Sequence, residues 1–156
     1  MTPVEAARKI LDTMLGHLGF SVVIEIEETN DGPCLQISTG ESEPLIGKNG
    51  DRLDDLQYLV NRIVRKHFPK APRIKVDCGH FRADQEAKLT EEIQSVAALV
   101  KTSGTSHKLR PLNAYYRRLV HNALMGDPDI ESHSPDGEQR YKRITIRPKQ
   151  THEPKA

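Results

Sequence analysis

Apolar residues recur at helical spacing over the first eighteen positions. Thr2 and Pro3 are typical of a helix start, and Gly19 is typical of a stop. Residues 20–27 are rich in β-branched side chains and alternate in their second half, so they predict a strand, and residues 34–38 predict another. Turn residues join the two strands, so a helix followed by a β-hairpin is expected. The helical stripe consists of Val4, Ala7, Ile10, Leu11, Met14, Leu15 and Leu18.

A short turn bracketed by Gly47 and Gly50 precedes the next long helix. Helical spacing of apolar residues predicts that this helix runs from Asp51 to about His67, where prolines follow. Residues 73–78 predict a third strand. The predicted order is helix, strand, strand, short helix, Gly-x-x-Gly, helix, strand. The stripe of the long helix consists of Leu53, Leu56, Val60, Ile63 and Val64, and the strand face of Ile74, Val76 and Cys78.

The second half of the chain predicts two helices and a closing strand. Residues 82–103 form one helical pattern, and a second helix is expected after Pro111. A turn-rich connection over 132–137 leads to a strand over 141–147, and the tail 148–156 is polar and expected to be loose. The inward residues of the two helices are expected to be Leu89, Ile93, Val96 and Val100, then Leu112, Tyr116, Leu119, Val120, Ala123 and Leu124.

Composition adds that this is a globular chain of modest size. The 156 residues are 36% hydrophobic and 29% charged, and no apolar run approaches the length of a membrane span. The start MTPVEAARKI lacks a signal-peptide pattern, and only two cysteines are present, Cys34 and Cys78. We therefore expect a cytoplasmic protein without membrane insertion.

Charge is divided unevenly along the sequence. Residues 101–156 hold eleven Lys and Arg against six Asp and Glu, whereas residues 1–100 hold twelve against sixteen. A basic second part favours an anionic partner, although charges can also cluster by chance on a solvated face.

The stretch LIGKNG, residues 45–50, allows four chemistries. A phosphate-binding P-loop fails because Asn49 follows Gly47-Lys48 and Ser42 occupies the first glycine position. A dinucleotide fingerprint fails because its three spaced glycines are absent. A plain helix-start turn remains open, and so does a nucleic-acid clamp. In a clamp the glycines admit a sugar-phosphate backbone, the helix start offers N–H donors, Lys48 adds charge and Asn49 adds hydrogen bonds.

The element order around this turn resembles a KH domain of the bacterial, type II arrangement, in which a Gly-x-x-Gly loop joins two helices and clamps about four nucleotides. The run LIGKNGDRLDDLQYLVNRIV is similar in sequence to the corresponding segment of the Jag family, the sporulation-insertase-associated proteins. This resemblance implies RNA binding through Gly47, Lys48, Asn49 and Gly50. Many Jag proteins begin with a further small domain, which we expect to be absent from this chain or supplied elsewhere.

A second motif lies in LRPLNAYYRRLVHNAL, residues 109–124. Arg117 and His121 are four residues apart and so share one helix face, although such a pair is ordinary on a solvated helix. The segment resembles an R-three-H domain, named for an Arg and a His separated by three residues and associated with single-stranded nucleic acid. Jag proteins join a KH domain to such a domain, so the resemblance covers about residues 3–147.

Other side chains of the second half could contact nucleic acid. One tyrosine of the pair Tyr115 and Tyr116 must face inward, and we expect it to be Tyr116. Further phosphate contacts are expected from Arg110, Arg118 and Arg143, with Arg140 and Lys142 as additional candidates.

A metal site or an enzyme has little support in the sequence. Cys78-Gly79-His80 is too small a ligand set for zinc, and Cys78 is typical of core filling. No base and orienting group accompany a cysteine nucleophile. The acids Asp51, Asp54 and Asp55 suit the dipole at a helix start. We therefore expect no metal, no cofactor and no enzymatic activity.

Together these patterns predict an α+β protein with two small domains. A type II KH domain (α-β-β-α-α-β, three-stranded sheet) is expected over 1–79 and a small α/β R-three-H domain over 81–147, with the helix from Arg82 packing between them. The expected function is binding of single-stranded RNA, or of single-stranded DNA. The resemblance implies a post-transcriptional regulator linked to cell-envelope growth and division, with a separate small KH-domain protein as partner. The alternative is a protein-interaction adaptor with incidental nucleic-acid contact.

Overall fold

The computed structural model describes residues 1–149 and confirms the mixed α+β class. Two compact units are present, one formed by Met1–Asp84 and the other by the chain from Gln85 onward. The division falls within a single helix, Phe81–Ser103, a few residues after the boundary expected at Gly79.

The first unit contains three helices and a three-stranded sheet in the predicted order. The sheet has the order β1-β2-β3, with β1 and β2 antiparallel and β2 and β3 parallel. The elements are α1 (Pro3–His17), β1 (Val23–Thr29), β2 (Gly32–Ser38), α2 (Ser42–Ile46), a 3-10 turn (Lys48–Gly50), α3 (Asp51–His67) and β3 (Lys75–Cys78). This is the order expected of a type II KH domain.

The predicted stripes form the core of the first unit. A capping box starts α1, because the Thr2 hydroxyl accepts from the Glu5 N–H and the Glu5 carboxylate accepts from the Thr2 N–H. Leu18 and Ile63 differ from expectation, since Leu18 is 65% exposed and Ile63 is 36% exposed. The fully buried core side chains are Ala7, Leu11, Leu15, Leu35, Ile37, Leu53, Val60, Ile74 and Val76.

The second unit packs helices on an antiparallel sheet of order β4-β6-β5. Two of its strands were missed in the sequence, because β4 has only two residues and β5 carries a single large apolar side chain, Ile130. The elements are α4 (Phe81–Ser103), β4 (His107–Lys108), α5 (Ala114–Leu124), β5 (Ile130–His133) and β6 (Thr145–Pro148).

The closing strand is shorter than the predicted 141–147. Lys142 instead makes an isolated bridge with Leu112, through two backbone hydrogen bonds, before the chain enters β6. Ala123 was expected to face inward but is exposed. The core contains Leu89, Ile93, Val96, Val100, Leu109, Leu112, Val120, Leu124, Ile130, Ile144 and Ile146.

Within residues 1–149, every helix is too short or too polar to cross a bilayer. The loose tail expected over 148–156 lies outside the described residues, except that Pro148 ends β6 and Lys149 bonds through its N–H to the Asp129 carbonyl.

Candidate nucleic-acid interface

The Gly-x-x-Gly loop connects α2 to α3 through backbone that favours glycine. Gly47 has φ 72° and ψ −174°, a region open essentially to glycine alone, and Gly50 has φ 81° and ψ 15°. Asn49 between them also has a positive φ, which asparagine tolerates better than most residues. Lys48 and Asn49 are exposed, whereas Gly50 is buried. The loop therefore presents a cation and an amide at its tip.

Both glycines are in close contact with side chains of the protein itself. A Cβ at Gly47 would lie 2.8 Å from the Arg52 side chain and 3.1 Å from its backbone nitrogen. A Cβ at Gly50 would lie 2.9 Å from the ring of Phe81, the first residue of α4. The space on the Cβ side of these two glycines is thus filled by Arg52 and Phe81. Within the loop, Lys48 and Asn49 are the residues left exposed.

The start of α3 combines charges of both signs. Arg52 extends back over the loop and donates to the Pro44 carbonyl at 2.6 Å, which fixes α2 against α3. Asp51 and Asp54 lie in the first turn, where they interact favourably with the helix dipole but repel a phosphate. The Asp54 carboxylate is paired with Arg82 at 2.9 Å.

Side chains cover the outer edge of β3, a feature that sequence reasoning missed. Asn61 pairs with both backbone groups of Ile74, accepting from its N–H at 2.9 Å and donating to its carbonyl at 2.7 Å. Gln57 accepts from the Val76 N–H, and Arg82 donates to the Val76 carbonyl. The backbone of this edge is therefore satisfied internally, which also protects it from pairing with another strand. The only sequence signal was two amides four residues apart beside a buried stripe.

In the second unit Arg117 connects two loops to α5. Its Nη1 donates to the Leu112 carbonyl at 2.6 Å and to the Arg140 carbonyl at 3.1 Å. Within residues 1–149 its Nε and Nη2 make no hydrogen bond, so half of the guanidinium remains for an anion. Arg117 thus has a structural role that the motif did not predict, and Asn113 caps the same helix through the Tyr116 N–H.

His121 is half-buried one turn further along α5. Its Nδ1 lies 2.5 Å from the Ser132 hydroxyl of β5. Burial, followed by the charges of Arg117 and His133, lowers the pKa of His121 below its usual 6.5. At neutral pH it is therefore an uncharged ring that offers hydrogen bonding rather than charge.

The expected phosphate contacts differ in their surroundings. Arg118 is exposed and has no partner within the part of the chain described. Arg110 is paired with Glu92 at 3.2 Å, and Arg143 donates through Nε to the Leu109 carbonyl at 2.7 Å. Arg140 lies 5.7 Å from the centre of the Tyr141 ring.

The tyrosine pair behaves as expected. Tyr116 packs against the core, and Tyr115 is 46% exposed while its hydroxyl donates to Glu86 at 2.6 Å.

The two cysteines are enclosed by the first unit. Burial, with a contribution from Asp77, raises the pKa of Cys34 to about 11 and also raises the pKa of Cys78. Both thiols are therefore protonated at neutral pH. No group of three or more metal-binding side chains is found among residues 1–149.

Comparison with known protein families places an R-three-H domain at residues 87–148, and the Arg-x-x-x-His pair lies within it. The chain therefore carries this nucleic-acid-associated domain.

Individual proteins that are similar in sequence to this chain carry the name RNA-binding protein KhpB. The protein of Clostridium symbiosum is 31% identical over 143 residues, which cover 92% of this chain and 63% of the relative. Those of Lactiplantibacillus plantarum and Bacillus subtilis are 24% and 22% identical and cover 90% and 89% of this chain. The alignments include 44% and 68% of these two relatives, so the chain spans less than two thirds of the first two. These matches agree with a Jag-family protein that contains an R-three-H domain.

Proposed function

We propose that this protein binds single-stranded RNA through two contacts, one on each unit. The observation that carries the proposal is the exposed Lys48–Asn49 tip of a Gly-x-x-Gly loop in the same chain as an R-three-H domain. The name of the relatives, RNA-binding protein KhpB, supports the choice of RNA.

The first contact is the loop tip. Lys48 supplies a positive charge and Asn49 supplies an amide at a site whose backbone is fixed by Gly47 and Gly50. Because side chains already satisfy the edge of β3, this edge offers few backbone groups to base edges. This contact therefore holds the RNA backbone and tolerates different sequences.

The second contact is the face of α5. The remaining half of the Arg117 guanidinium and the exposed Arg118 suit phosphate, and His121 adds a hydrogen bond. Two weak contacts in one chain raise the overall affinity by effective concentration.

Titration of a labelled, unstructured oligouridine tests the loop contact. The variant Lys48→Asp with Asn49→Asp keeps both glycines, and the control Lys9→Asp with Asn30→Asp makes the same charge change at exposed positions of α1 and the β1–β2 turn. We expect the loop variant to lose affinity severalfold more than the control, with intact circular dichroism. Equal losses in the two variants would contradict a contact at the loop.

The second contact is tested by Arg118→Gln and His121→Gln, compared with Lys88→Gln on α4. Arg117 is avoided because its removal would break two hydrogen bonds to loop carbonyls and so confound binding with stability. We expect a severalfold loss from the α5 variants, and unchanged binding in both would remove Arg118 and His121 from the site. Single-stranded DNA of matching sequence then decides whether the 2′-hydroxyl is read.

The wider role is proposed from the resemblance to the Jag family. We propose a non-enzymatic, cytoplasmic regulator of RNA, linked to cell-envelope growth and division. The protonated, buried thiols support a binding role because they are poor nucleophiles. Sequencing of RNA that crosslinks to the protein in cells tests this role, and transcripts without relation to the envelope would refute the envelope link.

A protein-interaction adaptor is the second candidate, with a separate small KH-domain protein as partner. One observation favours it: an apolar groove of about 320 Å³ between α1, α2 and α3, next to the exposed Leu18 and Leu59. Absence of RNA binding by the native chain, together with a stable complex after nuclease treatment, would favour the adaptor.

A further inference from the structure

A dense group of positive charges lies at the far end of α3 from the Gly-x-x-Gly loop. Residues 62–73 contain five Lys and Arg, one His and no Asp or Glu, and all six of these side chains are exposed. We call this segment the basic tract. Its charged residues are Arg62, Arg65, Lys66, His67, Lys70 and Arg73.

The basic tract opposes the charge of the unit that contains it. Residues 1–84 hold eleven Lys and Arg against thirteen Asp and Glu, and the tract contributes five of the eleven. The rest of the unit therefore carries a net charge of −7 beside a local charge of +5. The average over the first hundred residues, twelve Lys and Arg against sixteen Asp and Glu, conceals this separation.

Internal ion pairs do not account for these charges. None of the six side chains makes a hydrogen bond or ion pair within residues 1–149. The β1–β2 turn comes close to the end of the tract, since the Arg73 carbonyl faces Gly32, but its Asp31 is already paired with Lys75 at 2.9 Å. The tract is thus not neutralised by that neighbouring carboxylate.

The helix dipole explains only part of the arrangement. Cations in the last turn of α3 interact favourably with its C-terminus, but that effect fades within one turn and does not reach Arg62, Lys70 or Arg73. Arg62 and Lys66 are four residues apart, where like charges repel each other by about 0.2–0.5 kcal/mol. A cluster that repels itself and has no internal partner is best explained by an external anion.

The fold holds the tract in place. Phe68 packs against the core, and its N–H donates to the Val64 carbonyl. The Asn61 side chain makes hydrogen bonds to both the N–H and the carbonyl of Ile74. The loop after α3 is thus anchored at both ends, so the cations are presented on a fixed backbone.

We propose that the basic tract is an additional RNA-binding surface that contacts phosphates of the strand held at the Gly-x-x-Gly loop. Since α3 has 17 residues, its two ends are about 25 Å apart, so one strand of several nucleotides can meet both. The aromatic ring of Phe68 within the tract packs against the core, so the exposed side chains of the tract are mainly repeated cations, which suit the regular charge of a polynucleotide backbone. This inference rests on the proposed RNA binding and extends the site beyond the loop.

The test compares two pairs of substitutions that are chemically identical. Arg65→Gln with Lys66→Gln removes two charges from the tract, and Arg8→Gln with Lys9→Gln removes an exposed Arg-Lys pair from α1. Binding of a labelled oligouridine is measured for both, for the native chain and for the loop variant, over a series of salt concentrations. Circular dichroism confirms folding, which these surface changes should leave intact.

We expect the tract variant to lose affinity severalfold at low salt. The slope of log affinity against log salt should fall by about 1.4 for two lost phosphate contacts, against little change in the α1 variant. If the tract and α1 variants have equal affinities and salt slopes while the loop variant still binds more weakly, the basic tract is not an RNA-binding surface. The proposed contact at the loop would stand in that case. No salt-sensitive binding by the native chain overturns both the tract and the proposed function.

Discussion

Replacing Gly50 by alanine tests how the Gly-x-x-Gly loop is built. Gly50 is buried at the start of α3 with φ 81°, where a non-glycine residue costs about 1–2 kcal/mol. The added Cβ would lie 2.9 Å from the Phe81 ring, which packs against the core of the first unit. Displacing that ring adds about 1 kcal/mol, the lower end of the cost of overpacking. We therefore expect Gly50→Ala to lower the free energy of unfolding by about 2–3 kcal/mol.

Two other glycines separate the backbone cost from the steric cost. Gly79 has φ 56° but no atom within 4 Å of a built Cβ, so Gly79→Ala should cost only the backbone share, about 1–2 kcal/mol. Gly16 lies within α1 with open space around it, so Gly16→Ala should stabilise the protein by up to about 1 kcal/mol. Urea unfolding followed by circular dichroism measures all three.

A double-mutant cycle with Phe81→Ala then isolates the contact. In the Phe81→Ala background, Gly50→Ala should cost no more than Gly79→Ala does in the native chain, which gives a coupling of about 1 kcal/mol. The reasoning is refuted if Gly50→Ala and Gly79→Ala are equally destabilising in the native chain. It is refuted as well if the cost of Gly50→Ala is unchanged without the ring.

Two further predictions concern one half-buried and one buried polar side chain. Because the pKa of His121 is lowered in the folded state, the unfolded chain binds more protons below pH 6.5, so stability should fall as the pH drops through that range. His121→Gln should reduce this fall, measured as the urea midpoint at about pH 7.5 and about pH 5, and an identical pH dependence would contradict it. Asp77 is 3% exposed and accepts from the Cys78 N–H, the Arg82 N–H and Gln36, so Asp77→Ala should cost about 2–4 kcal/mol. Thermal unfolding checks this, with the exposed Asp84→Ala as a control near zero.

Hydrophobic periodicity predicted the long helices and the core well. The stripes of α1, α3 and α4 are buried almost as expected, because burial on one face imposes a spacing that the sequence records. Leu18 escapes this rule because it is the C-terminal cap of α1, where the chain leaves the helix. Strands β4 and β5 escaped prediction because their pairing with β6 is long-range and leaves almost no local pattern.

The positions of the candidate site residues in the fold were easier to predict from the sequence than the contacts that each residue makes. The Gly-x-x-Gly loop and the Arg-x-x-x-His pair lie on the elements expected. The contacts that Gly50, Asn61 and Arg117 make could not be predicted from the spacing of residues in the sequence. Each of these contacts joins segments that are at least five residues apart, and hydrogen-bond partners across a fold leave no periodic signal. The basic tract was visible in the sequence, yet averaging charge over a hundred residues concealed it.

The two motifs differ in which of their residues make contacts within the protein and which remain exposed to solvent. In the loop the glycines serve packing, and Lys48 and Asn49 remain exposed. On α5 the motif residues themselves are partly committed, since Arg117 Nη1 holds two carbonyls and His121 Nδ1 faces Ser132. The proposed affinity must therefore come mainly from exposed cations, which act on phosphates without regard to base. Binding of this kind should depend strongly on salt and only weakly on sequence.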